Sequence, residues 1–211
     1  MKIGIIGAGF VGRAVGKLAV KAGHEVMLSN SRGPQTLFST GYGIGARVGT
    51  TEEAIAFGDV VVVAIPLAAY ASIPVAPLAG KIVIDANNYY FERDSHIAAL
   101  DRRETTTSEM LAAHLPAARI VKAFNAVKMT DLEVDGRPAG AADRKALPLA
   151  GDDAEGKAVV AGLYEAFGFD AVDAGPLAEG WRFERDMPAY CTRLGKTDLE
   201  RALAAALRAA A

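Results

Sequence analysis

Apolar residues along this chain fall in short runs, each broken by glycines, by a polar stretch or by a helical repeat. Ile3-Gly4-Ile5-Ile6 is the first run, brief and rich in β-branched residues, and reads as a strand. Beyond the Gly7–Gly12 loop, Val15, Leu18, Ala19 and Ala22 recur at helical spacing until Gly23 stops them. Glu25-Val26-Met27-Leu28 follows closely and ends in Ser29-Asn30-Ser31-Arg32. That is a β-α-β unit of about 30 residues, whose crossover should be right-handed.

Further runs at Asp59–Ile65, Lys81–Asp85, Arg119–Phe124, Leu147–Ala150 and Asp170–Val172 alternate with candidate helices. The pattern predicts an α/β fold: a Rossmann-like, doubly wound, mostly parallel sheet. Val60–Val63 is apolar at every position, the mark of a central strand covered on both faces. Asp135–Asp143, rich in Gly, Pro and Ala, reads as a surface loop. After residue 174 the pattern turns irregular, so residues 1–174 are expected to form the dinucleotide-binding domain and 175–211 a small C-terminal extension completing it. Thr197-Asp198-Leu199-Glu200 offers a capping box for a last helix, with Leu199, Leu203 and Leu207 as its apolar stripe. That stripe needs cover, from a second copy in a homodimer or from the chain's own sheet, and the sequence leaves both open.

Composition narrows the function classes. The 211 residues, 51% of them apolar, are enough for one large domain. With 23 basic against 25 acidic residues the net charge is −2, which argues against nucleic acid as a partner. The single cysteine, Cys191, and three scattered histidines show no metal-ligand spacing. No stretch reads as a signal peptide or membrane span, and the expected location is cytoplasmic, with no membrane partner.

The chemistry begins at Gly7-Ala8-Gly9-Phe10-Val11-Gly12, a G-x-G-x-x-G hexamer. Such hexamers are weak evidence alone, but this one directly follows a strand and opens a helix. Gly7 can then make the tight turn, Gly9 admits a pyrophosphate, and Gly12 lets helix and strand pack closely. The second strand ends in Asn30, Ser31 and Arg32, where an NAD site would place a carboxylate for the ribose 2'-hydroxyl. A hydroxyl and a planar guanidinium suit a 2'-phosphate instead, so NADP(H) is the expected cofactor.

Ligands of such sheets lie beyond the carboxyl ends of the strands, which adds Ala64, Ile65 and Pro66, then Asn87 and Asn88, then Phe124 and Asn125. Ile65-Pro66 would form a stiff apolar wall, and the asparagines offer donors and acceptors for a carboxamide or ring edge, although Asn is equally a turn residue. Lys122 and Tyr70 are candidate proton donors, but a lysine in a strand more often pairs with a carboxylate and such a tyrosine more often packs. Trp181 could stack on a flat heterocycle or simply cover the core.

Taken in order, Met1–Gly7, Ser31-Arg32, Ala64-Ile65-Pro66, Val121-Lys122-Ala123-Phe124-Asn125 and Asp173-Ala174-Gly175-Pro176-Leu177 resemble the deazaflavin (coenzyme F420)-dependent NADP oxidoreductases along nearly the whole chain. The resemblance implies NADP on Gly7–Gly12, Ser31, Arg32, Ile65 and Pro66, with the deazaflavin near Asn87, Asn88 and the Phe124-Asn125 loop. Where a large branch of that family tends to have proline after the tyrosines of Asp85–Arg93, this chain has Phe91. Val121–Asn125 is also similar to the NADPH-binding domain of membrane ferric reductases.

The expected function is hydride transfer between NADP(H) and a deazaflavin or flavin-like acceptor, with coenzyme F420 or a flavin as second substrate and a small-molecule redox acceptor as partner. Such transfer needs positioning more than acid-base chemistry, and no residue is assigned as catalytic. The alternatives are an NADPH-dependent reductase of a small carbonyl or imine, and a non-catalytic NADP(H)-binding or sensing module.

Overall fold

In a computed structural model, which describes residues 1–208, the apolar runs become strands of one eight-stranded sheet in the order β3-β2-β1-β4-β5-β6-β7-β8. The first half is β1 (Lys2–Ile6), α1 (Phe10–Lys21), β2 (Glu25–Ser29), α2 (Phe38–Ile44), β3 (Arg47–Val48), α3 (Thr51–Phe57), β4 (Val60–Val63) and β5 (Ile82–Asp85). Short helices α4 (Phe91–Asp94) and α5 (Ala98–Asp101) precede α6 (Thr107–His114), β6 (Arg119–Lys122) and α7 (Met129–Val134). The chain closes with β7 (Ala146–Gly151), α8 (Ala154–Phe167), β8 (Asp170–Asp173), a 3-10 stretch (Leu177–Phe183) and α9 (Lys196–Ala205). Every pairing is parallel except β6 with β7, whose antiparallel ladder comprises Val121 opposite Gly151 and Lys122 opposite Ala150.

β4 shows why a continuous apolar run becomes a central strand. Successive side chains point to opposite faces. Val60 and Val62 therefore enter the core shared with α1 and α8, while Val61 and Val63 enter the one on the α6 face. All four are buried, and each contributes about 1.5–3 kcal/mol relative to an exposed valine, before entropy is counted. α1 lays Ala14, Val15, Leu18 and Ala19 on the sheet, in line with the helical spacing in the sequence.

Several boundaries and one cap differ from the sequence reading. The strands expected to run to Ile65 and Phe124 stop at Val63 and Lys122, and Arg47–Val48 adds an edge strand with no apolar run of its own. α9 starts two residues earlier than its capping box would require. Gly195 takes the N-cap position with no side-chain cap, which places Thr197 inside the first turn. The helix also ends at Ala205, so only Leu199 and Leu203 are buried, packed with the β7–β8 end of the sheet. Leu207 leaves the stripe and is exposed. The apolar face that suggested a second copy is thus covered by the chain's own sheet. The Asp135–Asp143 loop contains no helix or strand beyond the close of α7.

Candidate functional site

Gly7 lies between β1 and α1 at φ +104°, a conformation that side chains on other residues disfavour, and a Cβ there would stand 2.2 Å from the Ala64 carbonyl oxygen. At Gly12 a Cβ would meet the Gly7 carbonyl oxygen at 1.9 Å, so both positions are sealed by close backbone approach. Gly9 is the opposite case: nothing lies within 4 Å of where its Cβ would be. It is also the N-cap of α1, whose start has no side-chain cap and no acid in the first turn. Open room before an uncapped helix start is what a pyrophosphate requires, and these residues fit an NADP molecule.

A groove of about 290 Å³ runs from this turn across the ends of β2 and β4. It brings together Gly7, Ala8, Gly9, Asn30, Ser31, Arg32, Ala64, Ile65 and Pro66, with Ala69 and Ile73 of the following turn, which the sequence did not single out. Asn30 shapes the loop: its Oδ1 accepts the Arg32 N–H at 3.0 Å and its Nδ2 donates to Thr36 Oγ1 at 2.9 Å. The Arg32 side chain is exposed and, among the described residues, has no hydrogen-bond or ion-pair partner. Its guanidinium is available for a phosphate. Phe10 is exposed at the start of α1, and neither it nor Val11 or Gly12 lines the groove.

The other sequence candidates lie elsewhere. Phe124 is corrected outright: its ring is buried edge-on to Tyr164 at 4.8 Å between centroids, in the core instead of a ligand cleft. Asn88 and Asn125 are buried and bind each other, Asn125 Nδ2 donating to Asn88 Oδ1 (3.1 Å) and to the Phe183 carbonyl (3.0 Å). Asn87 is a strut behind the groove. Its Oδ1 accepts the Ile65 N–H at 2.8 Å, and its Nδ2 donates to Asp85 Oδ1 at 2.7 Å. Trp181 is half-buried, with Arg182 4.6 Å from its ring centre.

Lys122 and Tyr70 belong to a closed buried network. Lys122, fully buried at the end of β6, stands in register beside Asp85 at the end of β5. Its Nζ donates to Thr107 Oγ1 (2.7 Å), Ser108 Oγ (3.3 Å) and the Asn87 carbonyl (3.2 Å), and pairs with Glu184 Oε1 at 3.1 Å. Ser108 donates onward to Asp85 Oδ2 at 2.5 Å, and Tyr70 to Asp85 Oδ1 at 3.1 Å. Burial, reinforced by the Asp85 carboxylate, pushes the Tyr70 phenol well above its usual pKa. For Glu184, burial alone would raise the pKa, but the Lys122 charge and hydrogen bonds from Thr107 and Lys122 overcome it and hold the group below the usual carboxylate range. Asp85, Thr107, Ser108 and Glu184 were not anticipated. Two neighbouring strands that both end in a charged residue were the available signal for the Asp85–Lys122 pair, and nothing in the sequence points to Glu184.

A β-α-β dinucleotide turn and a loop after β2 that carries a guanidinium and no carboxylate define the class: an NADP(H)-binding Rossmann protein. The family model for NADP oxidoreductase, coenzyme F420-dependent, matches residues 2–89. The hypothetical protein SMa0349 of Sinorhizobium meliloti is 30% identical and superposes with a TM-score of 0.81, covering 93% of this chain and 95% of that one. A protein from Arthrobacter sp. FB24, described as an F420-dependent NADP-reductase, is 27% identical with a TM-score of 0.71 over 83% of this chain and 85% of its own. Metalloreductase STEAP3 of Rattus norvegicus is 31% identical over 185 residues, 87% of this chain and 36% of that protein, so the chain spans about a third of that relative's length. Residues 2–89, which hold the dinucleotide turn and most of the groove, thus match the coenzyme F420-dependent NADP oxidoreductase family, and the likeness to the Arthrobacter protein runs on through 83% of the chain. Among the described residues, no helix is long and apolar enough to cross a membrane.

Proposed function

We propose that the protein transfers a hydride between NADP(H), held in the Gly7–Pro66 groove with its 2'-phosphate on Ser31 and Arg32, and a flavin or deazaflavin acceptor. The observation that carries this reading is the state of the ionisable groups at the ends of β5 and β6. Lys122, Asp85 and Tyr70 are buried and committed to one another, so they are poorly placed to give a proton to a carbonyl or imine. Hydride transfer between a nicotinamide and a stacked flavin-type ring makes no such demand, and the protein then supplies orientation and electrostatics.

NADPH oxidation by the purified protein, with oxidised coenzyme F420, FMN, FAD and ferric chelates offered in parallel, tests this. Rapid turnover with F420 or a flavin is expected. Arg32→Ala should raise KM for NADPH about 10- to 100-fold, the loss of one charge-assisted phosphate contact of about 1.5–3 kcal/mol, with the NADH KM unchanged. Tight NADPH binding without turnover on any acceptor would move the reading to a binding module.

A further inference from the structure

A second concavity opens between the segment after β5 and the stretch from Trp181 to Met187. It shares no lining residue with the dinucleotide groove. Its volume, about 260 Å³, is a little below the roughly 300–1,000 Å³ of most small-molecule sites, which suits a ligand of one or two rings. Tyr89, Phe91 and Trp181 supply aromatic wall.

The charges in this cleft are unevenly committed. Asp101 accepts from Tyr89 Oη (2.6 Å) and His96 Nδ1 (3.0 Å), and Glu184 is held by Lys122 and Thr107. Arg185 is bound by both Glu92 oxygens, at 2.6 and 2.9 Å. Arg208 differs: its guanidinium donates to the Thr105 carbonyl at 3.2 Å and stands 5.8 Å from the Trp181 ring centre, with no carboxylate partner among the described residues. Arg103 (φ +56°), in the turn that closes α5, and Asp186 (φ +69°) also line the cleft.

We propose that this cleft is a second small-molecule site that takes a flat ring bearing a carboxylate, the ring against Trp181 and Phe91 and the carboxylate on the Arg208 guanidinium. A guanidinium presents a planar fork of donors that matches a carboxylate, and the aromatic walls favour a ring over an aliphatic acid. The site stands apart from the hydride reaction and does not depend on the acceptor being a flavin.

The test uses benzoate as probe and benzamide as its neutral isostere, with binding read by calorimetry and by emission of Trp181, the chain's one tryptophan. Benzoate should bind saturably with a change in Trp181 emission, and benzamide about tenfold or more weakly. Arg208→Gln should weaken benzoate by a similar factor, whereas Arg32→Ala in the dinucleotide groove should leave it unchanged. No saturable heat with benzoate, equal binding of benzoate and benzamide, wild-type affinity in Arg208→Gln, or loss of benzoate in Arg32→Ala would each overturn the assignment.

Discussion

Replacing Lys122 with methionine keeps most of the side chain's bulk and removes its charge from a site with no exposure to solvent. Lys122 stands 3.1 Å from Glu184 and 3.9 Å from Asp85, whose side chains are 20% and 0% exposed. Removing one partner of a buried pair leaves an uncompensated charge and typically costs about 3–5 kcal/mol. For a chain of this size each kcal/mol shifts Tm by roughly 2–4 °C, so a fall of about 6–20 °C at pH 7 is expected by calorimetry or circular dichroism. The pH dependence carries the sign. Glu184 titrates below its unfolded value in the folded protein, so its contribution is present above roughly pH 4.3 and is lost as pH falls through the depressed folded value. Without Lys122, burial is less opposed and the Glu184 pKa rises. Acid then neutralises the stranded carboxylate in the variant, and the Tm gap to wild type should narrow between pH 7 and pH 4. A fall below about 2 °C at pH 7, or a gap that stays constant with pH, would refute the view that this ion pair organises the network.

Two further outcomes follow from particular contacts. Thr106 caps α6 in a complete box, accepting the Glu109 N–H at 3.1 Å while Glu109 Oε2 accepts the Thr106 N–H at 2.8 Å, so Thr106→Ala should cost about 1–2 kcal/mol in urea unfolding. Thr197→Ala, inside the first turn of α9 with no capping bond, should cost less than about 0.5 kcal/mol; equal losses at the two threonines would contradict the assigned helix start. Tyr164, buried against the β6–β7 region, donates to the Pro148 carbonyl (2.9 Å) and accepts the Phe124 N–H (3.0 Å), and Tyr164→Phe strands both groups at about 1–3 kcal/mol. Burial raises the Tyr164 pKa, so its contribution is present below about pH 10 and is lost as pH climbs from there towards the folded value. Thermal melts should therefore show the gap between wild type and Tyr164→Phe closing at alkaline pH.

How much of this could be read from the residues depended on how local the cause was. The Gly7–Gly12 turn, the covered valines of β4 and the Asn30–Arg32 loop follow from neighbours within a few positions, and they sit where periodicity and turn chemistry placed them. α9 misled because Thr197 and Glu200 have the right spacing for a box, yet Gly195 serves as N-cap and the helix begins at Lys196. Phe124 looked like a ligand contact because it follows a strand end. It is instead a core ring, because its φ of +62° belongs to a sharp exit from β6 that the sequence did not announce. The network of Asp85, Asn87, Thr107, Ser108, Lys122 and Glu184 joins residues up to about 100 positions apart, and only the packing of α6 and the Leu177–Phe183 stretch onto the sheet brings them together.

The ladder between β6 and β7 is only two residue pairs long, and it divides the sheet into a parallel half that holds the dinucleotide groove and a smaller leaf of β7 and β8. α8 staples the halves on one face, contacting β6 as well as β7 and β8. On the other face the Lys122–Glu184 pair reaches across, and the arginine-lined cleft straddles the same seam, with Tyr89 on one side and Trp181 on the other. Proteins open locally, in cooperative units, before they unfold as a whole. Lys122 is in this sense a clasp between two folding units: its loss should release the amides of β7 and β8 to exchange ahead of those of β1 and β4, and anything bound in the cleft would be gripped by both leaves at once.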